Sequence, residues 1–374
     1  MNFDFSDEQK QLRDQVRRFL TDQCPSSAVR AILEGPEPFD RKLYRGLGEM
    51  GFLGAAIPEE YGGVGLGHLE LCVIAEELGR VNAPVPVLSS VYQAAEALLI
   101  AGTDAQKAAW LPKLASGEAV ATLALGEGPG KVGETSIKAQ VSGGKLTGVK
   151  LPVADGDSAD FAIVAARESQ GVSLWLVDLT GPGVTRETLE TIDPTRSQAK
   201  LSFDGAPADR LGEAGQGWRI VTDVLDRAAI LLAFEQVGGA DRSLEMARDY
   251  VLERMAFGRQ IGSFQAVKHM LADMYVAATL ARSNAYYGAW ALSTGSAELG
   301  VAAATARVSA TQAFQHCAKN NIQTHGGMGF TWAFDCHLFY RRANALALAL
   351  GSQSTWEDLL IERLRLRNDA PAAA

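Results

Sequence analysis

The spacing of apolar residues changes period twice along this chain, and that constrains its fold more than any other feature. Up to about residue 118 the apolar positions keep helical spacing: Leu12, Val16, Phe19 and Leu20, then Leu43, Leu47 and Met50, then Leu69, Val73, Ile74 and Leu78. Steps of three and four place such residues on one helix face. Helices are also predicted over Ala94 to Ile100 and Trp110 to Leu114, and Ser6 with Gln9 has the pattern of a capping box. The tract Ile57-Pro-Glu-Glu-Tyr-Gly-Gly-Val-Gly-Leu-Gly67 interrupts them as a loop.

From about 119 to 212 the period falls to two. Val120 to Leu125, Ile137 to Val141, Phe161 to Ala165, Val172 to Val177 and Lys200 to Phe203 read as strands. Gly143-Gly144, Asp155-Gly156, Gly181-Pro182-Gly183 and Asp204-Gly205 punctuate them as turns. From Trp218 the helical period returns, over about 218–254, 265–294, 297–323 and 335–350, with a short segment near 354–367. Gly238-Gly239 inside the first of these suits a close helix crossing, and an Ala/Pro tail after Asn368 is expected to fray. The prediction is a mainly α protein with a central β domain. It comprises an N-terminal helical bundle (1–118), a middle antiparallel β-barrel or sandwich (119–212) and a C-terminal four-helix bundle (213–374).

With 47% hydrophobic residues the chain has enough apolar matter for cores of that kind, which excludes disorder. No apolar run approaches the roughly 18 residues needed to span a bilayer; the densest is Ala345 to Leu350. A formal net charge of −9 disfavours generic binding to nucleic acid or anionic lipid, so an anionic ligand must be held locally. Cys24, Cys72, Cys317 and Cys336 form no CxxC pair, and Met1 leads into Asn-Phe-Asp-Phe-Ser-Asp-Glu, unlike a signal peptide. Both features predict a reduced, cytoplasmic setting.

Familiar catalytic motifs are absent. Gly63-Val-Gly65-Leu-Gly67 lacks GxGxxG spacing and a preceding strand, so it reads as a surface turn. His68, His269, His316, His325 and His337 make no metal-ligand spacing, His325 reads as a turn residue, and no GxSxG or P-loop occurs. Two segments stand out. In Tyr250-Val-Leu-Glu-Arg254-Met-Ala-Phe257-Gly258-Arg-Gln-Ile-Gly-Ser-Phe264-Gln265, an arginine ends a long helix and a glutamine opens the next. The guanidinium fork suits phosphate oxygens, Phe257 offers a ring and Gln265 an amide. An ordinary helix–loop–helix corner would also account for it. In Gln323-Thr324-His325-Gly326-Gly327-Met-Gly329-Phe330, three glycines in four residues let backbone approach a flat ligand, although a simple helix stop needs only one.

These segments resemble the flavin-adenine dinucleotide signatures ERxQFGxxIxxFQ and QxxGGxGF of the acyl-CoA dehydrogenase family. The resemblance covers nearly the whole chain. It runs through Asp7-Glu8-Gln9, Gly51-Phe52-Leu53-Gly54, Ile57 to Gly63, Gln106-Lys107 with Trp110-Leu111-Pro112, Gly148 to Lys150, Ala159-Asp160-Phe161 and Leu271-Ala272-Asp273-Met274. It implies that family's three-domain architecture and α,β-desaturation of an acyl-CoA thioester. A carboxylate takes the α proton while a hydride leaves the β carbon for flavin N5, and the flavin's adenine and pyrophosphate reach a neighbouring subunit. On this resemblance Arg254, Phe257, Gln265, Gln323, Thr324, His325, Gly326 and Gly327 would bind FAD, with Ala256 departing from the usual glutamine or threonine.

The positions that would serve the chain's own active site do not match. Leu350 before Gly351 stands where the family's usual glutamate base falls, and Ala228 at the alternative base position. The substrate-binding arginine, counted from Asp226, is Ala229; the threonine of TEP is Gly126 before Glu127; and Trp-Ile-Thr is Pro152-Val153-Ala154. An aliphatic side chain accepts no proton. The resemblance therefore leaves no catalytic residue here, and the histidine spacing leaves no metal ligand. The resemblance implies a subunit of a heteromeric (α2β2) FAD-dependent dehydrogenase, possessing the ADP-binding half of the FAD site. A homologous partner would carry the glutamate and the acyl-CoA, a steroid-derived acyl group is a candidate substrate, and electrons would pass to an electron-transfer flavoprotein. Two alternatives stay open: a homotetramer recruiting Asp226, Glu235 or Glu357 as base, and a flavin-free scaffold. On a continuous helix Glu357 would lie on the face of Leu350, about 10 Å away.

Overall fold

The computed structural model of the chain describes residues 6–369. Residues 1–5, read above for a targeting signal, and 370–374 of the predicted frayed tail lie outside the described residues. The chain opens with helices α1 (Asp7–Gln23), α2 (Ser26–Glu34), α3 (Arg41–Glu49), α4 (His68–Arg80), α5 (Glu96–Ala101) and α6 (Asp104–Ala115). Ser6 caps α1 as its sequence predicts. The Gln9 amide donates to the Ser6 hydroxyl, and the Ser6 amide donates to the Gln9 side chain. The tract 57–67 is the expected turn, with Gly62, Gly65 and Gly67 in the left-handed region. Neither the short α2 nor the buried π-helical segment Leu88–Ala95 ahead of α5 stood out in the apolar spacing.

Strands follow: β1 (Ala121–Ala124), β2 (Gln140–Ser142), β3 (Lys145–Ala154), β4 (Phe161–Glu168), β5 (Gly171–Asp178), β6 (Val184–Leu189), β7 (Gln198–Pro207) and β8 (Asp209–Leu211). They form one sheet in the order β6-β7-β3-β2-β4-β5-β8, with β1 also on β4. The predicted central β domain is present, but the sheet is not closed into a barrel, because β6 pairs only with β7 and β8 only with β5. Nor is it wholly antiparallel. β1 runs parallel to β4 in the register Ala121↔Phe161 to Ala124↔Val164, since the β2–β3 hairpin intervenes and the chain must cross over to return.

The helical C-terminal part is α7 (Gly217–Glu253), a short hairpin β9 (Met255–Ala256) and β10 (Arg259–Gln260), then α8 (Gln265–Ser293), α9 (Leu299–His325), α10 (Cys336–Leu348) and α11 (Gln353–Asp369). No helix among the described residues is long and apolar enough to cross a membrane.

By packing the chain divides into two units, Met1–Ser27 with Cys72–Ala83 and Ala229–Ala374, and Ala28–Leu71 with Pro84–Ala228. In the first, α9 packs against α8, α10 and α11. The crossing of α4 and α7 depends on reciprocal glycines. A Cβ on Gly238 would sit 1.9 Å from the Glu76 carbonyl oxygen, and one on Gly79 1.9 Å from that of Glu235. Gly239 leaves room for the Phe314 ring in the same way. Arg17 grips Glu77 with two bonds of 2.8 and 2.6 Å, and Arg282 joins Glu76 to Asp241, so ion pairs tie α1, α4, α7 and α8 together. In the second unit Phe161, Ile163, Leu174 and Leu176 of the sheet bury against Leu98, Leu111, Leu114 and Val224.

Candidate functional site

Both segments singled out in the sequence lie in the first unit. The α7 helix stops at Glu253, and the chain reverses through the β9–β10 hairpin, pairing Ala256 with Arg259 and Met255 with Gln260. The two-residue loop is Phe257-Gly258, both at positive φ, +53° and +74°. Glycine enters that conformation freely, whereas a phenylalanine there is strained, at an order of 1–3 kcal/mol. The Phe257 ring is also 94% exposed, and it meets the Phe264 ring edge-on at 6.1 Å. A strained backbone holding a bare aromatic ring has no internal benefit, and suits a ring covered by something outside this chain.

Arg254, at the hairpin's base, is exposed, and its guanidinium makes no hydrogen bond or ion pair with the described residues. Only its backbone is engaged: its amide donates to Tyr250 and its carbonyl accepts from Ile261. Gln265 opens α8 with an exposed side chain. That helix has no side-chain cap and no acidic residue in its first turn, so its positive end remains open to an anion.

In the second segment α9 ends at His325 and a 3-10 turn spans Gly326–Phe330. Each glycine answers a different need. Gly326, at φ +59° and ψ −139°, occupies a region closed to other residues. Gly329 lies so close to the Ile322 carbonyl that a Cβ would sit 2.5 Å from its oxygen. Gly327 has neither reason: its φ is not positive, and a Cβ there would meet nothing within 4 Å. The chain's own packing does not explain this glycine, which leaves a bare backbone for close approach by a ligand.

Gln323 is exposed, but Thr324 and His325 are buried, and both bond to the same atom. The Thr324 hydroxyl and His325 Nδ1 each donate to the Asn321 carbonyl oxygen at 2.8 Å. His325 is therefore no loose turn residue. Its ring stacks on Tyr250 of α7, and burial holds its pKa below the usual histidine value, partly offset by the Asn321 carbonyl. The arrangement brings together an open guanidinium, an uncapped helix start, an exposed ring and an open glycine turn. An anionic ligand with a flat ring, such as a dinucleotide, fits that set.

The positions that would form an active site of the chain's own are differently occupied. Leu350 is buried in the corner between α10 and α11, where its carbonyl accepts from the buried Trp356 indole at 2.9 Å. The break at this corner, with Gly351 at φ +98°, corrects the placing of Glu357 on a helix continuous with Leu350. Glu357 is exposed and accepts from Gln353 at 2.6 Å. Glu235 is buried and committed to the equally buried Arg342 at 3.6 Å. Ala228, Ala229 and Asp226 are all buried on α7.

In the other unit Gly126 backs onto the Leu151 carbonyl, which a Cβ would meet at 3.0 Å. Glu127 accepts from the amides of Lys138 and Ala139 and from buried Lys150 at 2.7 Å. Burial pushes its carboxyl up, but Lys150 and the two amides outweigh that and hold it below the usual carboxylate range. Pro152, Val153 and Ala154 end β3, with a cis Leu151–Pro152 bond. Among the described residues no three His, Cys, Asp or Glu side chains are grouped to hold a metal ion.

Comparison with known proteins gives the family. Residues 6–118 match the acyl-CoA dehydrogenase N-terminal domain and residues 215–364 the C-terminal domain of that family. The chain is similar to acyl-CoA dehydrogenase IpdE2 of Mycobacterium tuberculosis, 33% identical over 92% of this chain and 94% of that protein. Among solved structures it is similar to a variant of the Tcur3481–Tcur3483 steroid ACAD, with TM-score 0.88, 31% identity and 97% and 99% of the two chains covered. The ChsE4–ChsE5 complex of Mycobacterium tuberculosis has TM-score 0.89 and 30% identity, with both chains fully covered.

Proposed function

This chain belongs to the acyl-CoA dehydrogenase family, whose members are FAD-dependent flavoproteins, and from that premise we propose that it is the non-catalytic subunit of a heteromeric member. The chain holds the ADP half of FAD, while a homologous partner supplies the carboxylate base and the acyl-CoA site. One contrast supports this reading. Leu350, a side chain that accepts no proton, occupies the position of the family base, whereas Arg254, Gln265 and Gly327 remain open to a ligand.

The flavin, when bound, supplies the hydride acceptor for desaturation. Arg254 provides a permanent cation for the pyrophosphate, since its charge is not used inside the chain. The start of α8 and Gln265 add donors beside it, and Gly327 keeps backbone bare where a side chain would stand off the nucleotide. Phe257 covers the ligand from the hairpin. The Tcur3481–Tcur3483 steroid ACAD and the ChsE4–ChsE5 complex among the similar structures favour a two-protein assembly, proposed here as α2β2, acting on a steroid-derived acyl-CoA. An electron-transferring flavoprotein is the proposed acceptor, and the cytoplasm the proposed location.

Flavin content tests the reading. Purified alone, the chain should carry little flavin and no dehydrogenase activity; co-purified with its partner, the complex should hold about one flavin per pair of chains. Arg254→Ala should weaken flavin retention in the complex roughly tenfold or more by loss of charge-assisted bonds. Oxidation of an acyl-CoA by the lone chain would overturn the proposal.

A further inference from the structure

We infer that Trp332 is the stacking platform for the adenine ring of the nucleotide held at the glycine turn. The inference rests on the reading that this chain binds the ADP half of the cofactor. Of the six tryptophans only Trp332 is exposed, at 50% of its surface. Thr331 alone separates it from the Gly326–Phe330 turn, and that residue is fixed: its amide and hydroxyl both donate to the Met328 carbonyl, at 3.0 and 2.7 Å.

The indole is also held in place. It stacks on His337 of α10 with centroids 4.4 Å apart and planes within 14°, and the Arg341 guanidinium lies 5.7 Å from its ring centre. An indole so backed by an imidazole loses little freedom on binding a further ring, so stacking there is favourable. The half left exposed is a rigid π surface beside a cation, which suits a flat, electron-rich base attached to phosphates. The bare backbone at Gly327, five residues earlier, already calls for a ligand in the same turn.

The test separates base from phosphates by titrating the full-length chain with ADP and, separately, with inorganic pyrophosphate. ADP should quench the exposed tryptophan emission. Trp332→Ala should bind ADP roughly tenfold to hundredfold more weakly while pyrophosphate binding is unchanged, and Trp332→Phe should recover most of the ADP affinity. Equal ADP affinity in Trp332→Ala would overturn the platform while leaving the ADP site standing. An equal loss of ADP and pyrophosphate would also overturn it, by showing a general distortion of the turn. If the unaltered chain and its complex bind neither probe, the proposed function itself fails.

Discussion

The imidazole of His325 lies flat on the phenol ring of Tyr250, with centroids 4.1 Å apart and planes within 24°. This contact fastens the end of α9 to the end of α7, joining two segments more than 70 residues apart in sequence. Phe334 packs edge-on against both rings, at 5.6 and 5.9 Å. The stack fixes the spacing of the hairpin that presents Arg254 relative to the turn that presents Gly327.

Removing that ring should loosen both segments together. Tyr250→Ala is expected to lower stability by roughly 1–3 kcal/mol, since two aromatic contacts are lost, and to speed amide hydrogen exchange through Gly326–Phe330. Tyr250→Phe keeps the ring and should leave exchange unchanged. His325 adds a pH effect. Its folded pKa is lowered, so the stability it contributes is present in the neutral form and is lost as pH falls through the unfolded value of about 6.5. Denaturant titrations at pH 7.5 and pH 5 should show that loss, and His325→Phe should reduce it.

Two glycine substitutions should behave in opposite ways. Gly238→Ala drives a methyl group into the Glu76 carbonyl, so the helices must separate, at a cost of about 2–4 kcal/mol. Gly327→Ala meets open space and should leave the melting temperature of the apo chain unchanged. Its effect should appear only in the complex, as faster flavin loss on dilution. A Gly327→Ala complex that retains flavin normally would remove this turn from the nucleotide site.

The same contrast explains how much of the molecule its sequence disclosed. Strong apolar period gave away the long helices and the strands β1, β4, β5 and β7. β6 was hidden because it is a polar edge strand with little buried side, and so shows no alternation. β3 carries Gly148 and Pro152, residue types disfavoured inside strands, and so lacks a clean alternation; Gly148 is needed there because a Cβ would come within 2.7 Å of Ala139. The motifs located Arg254 and the glycine turn, but not the burial of Thr324 and His325 or the stack on Tyr250. Those depend on contacts between distant segments, which no local pattern encodes.

Leu350 offers a test of the missing base. Leu350→Ala should cost roughly 2–4 kcal/mol of stability, because a buried side chain is truncated. Turnover per assembled complex should not change if, as proposed, the proton acceptor lies in the partner. Assembly measured by gel filtration separates the two effects: a collapse in rate with assembly intact would return the catalytic role to this corner.

Asp155 provides a prediction independent of the cofactor. Its carboxyl is buried in the turn that follows β3, accepting from Ser89 at 2.6 Å and, more weakly, from Ser197 at 3.5 Å. Burial dominates and, despite Ser89 and the nearby Arg196 charge, raises its pKa to about 6. A folded pKa above the unfolded one means the protonated form is favoured in the fold. The resulting stability is fully present below about pH 4 and lost as pH rises through about 6, which at neutral pH leaves a penalty on the order of 2–3 kcal/mol. Asn at this position carries no charge, tolerates the observed φ of +53° and can still accept from Ser89. Asp155→Asn should therefore raise the melting temperature at pH 7.5, have little effect at pH 4, and flatten the difference between the two pH values. A variant less stable than the parent at pH 7.5 would show that the Ser89 and Ser197 bonds outweigh the cost of burying the charge.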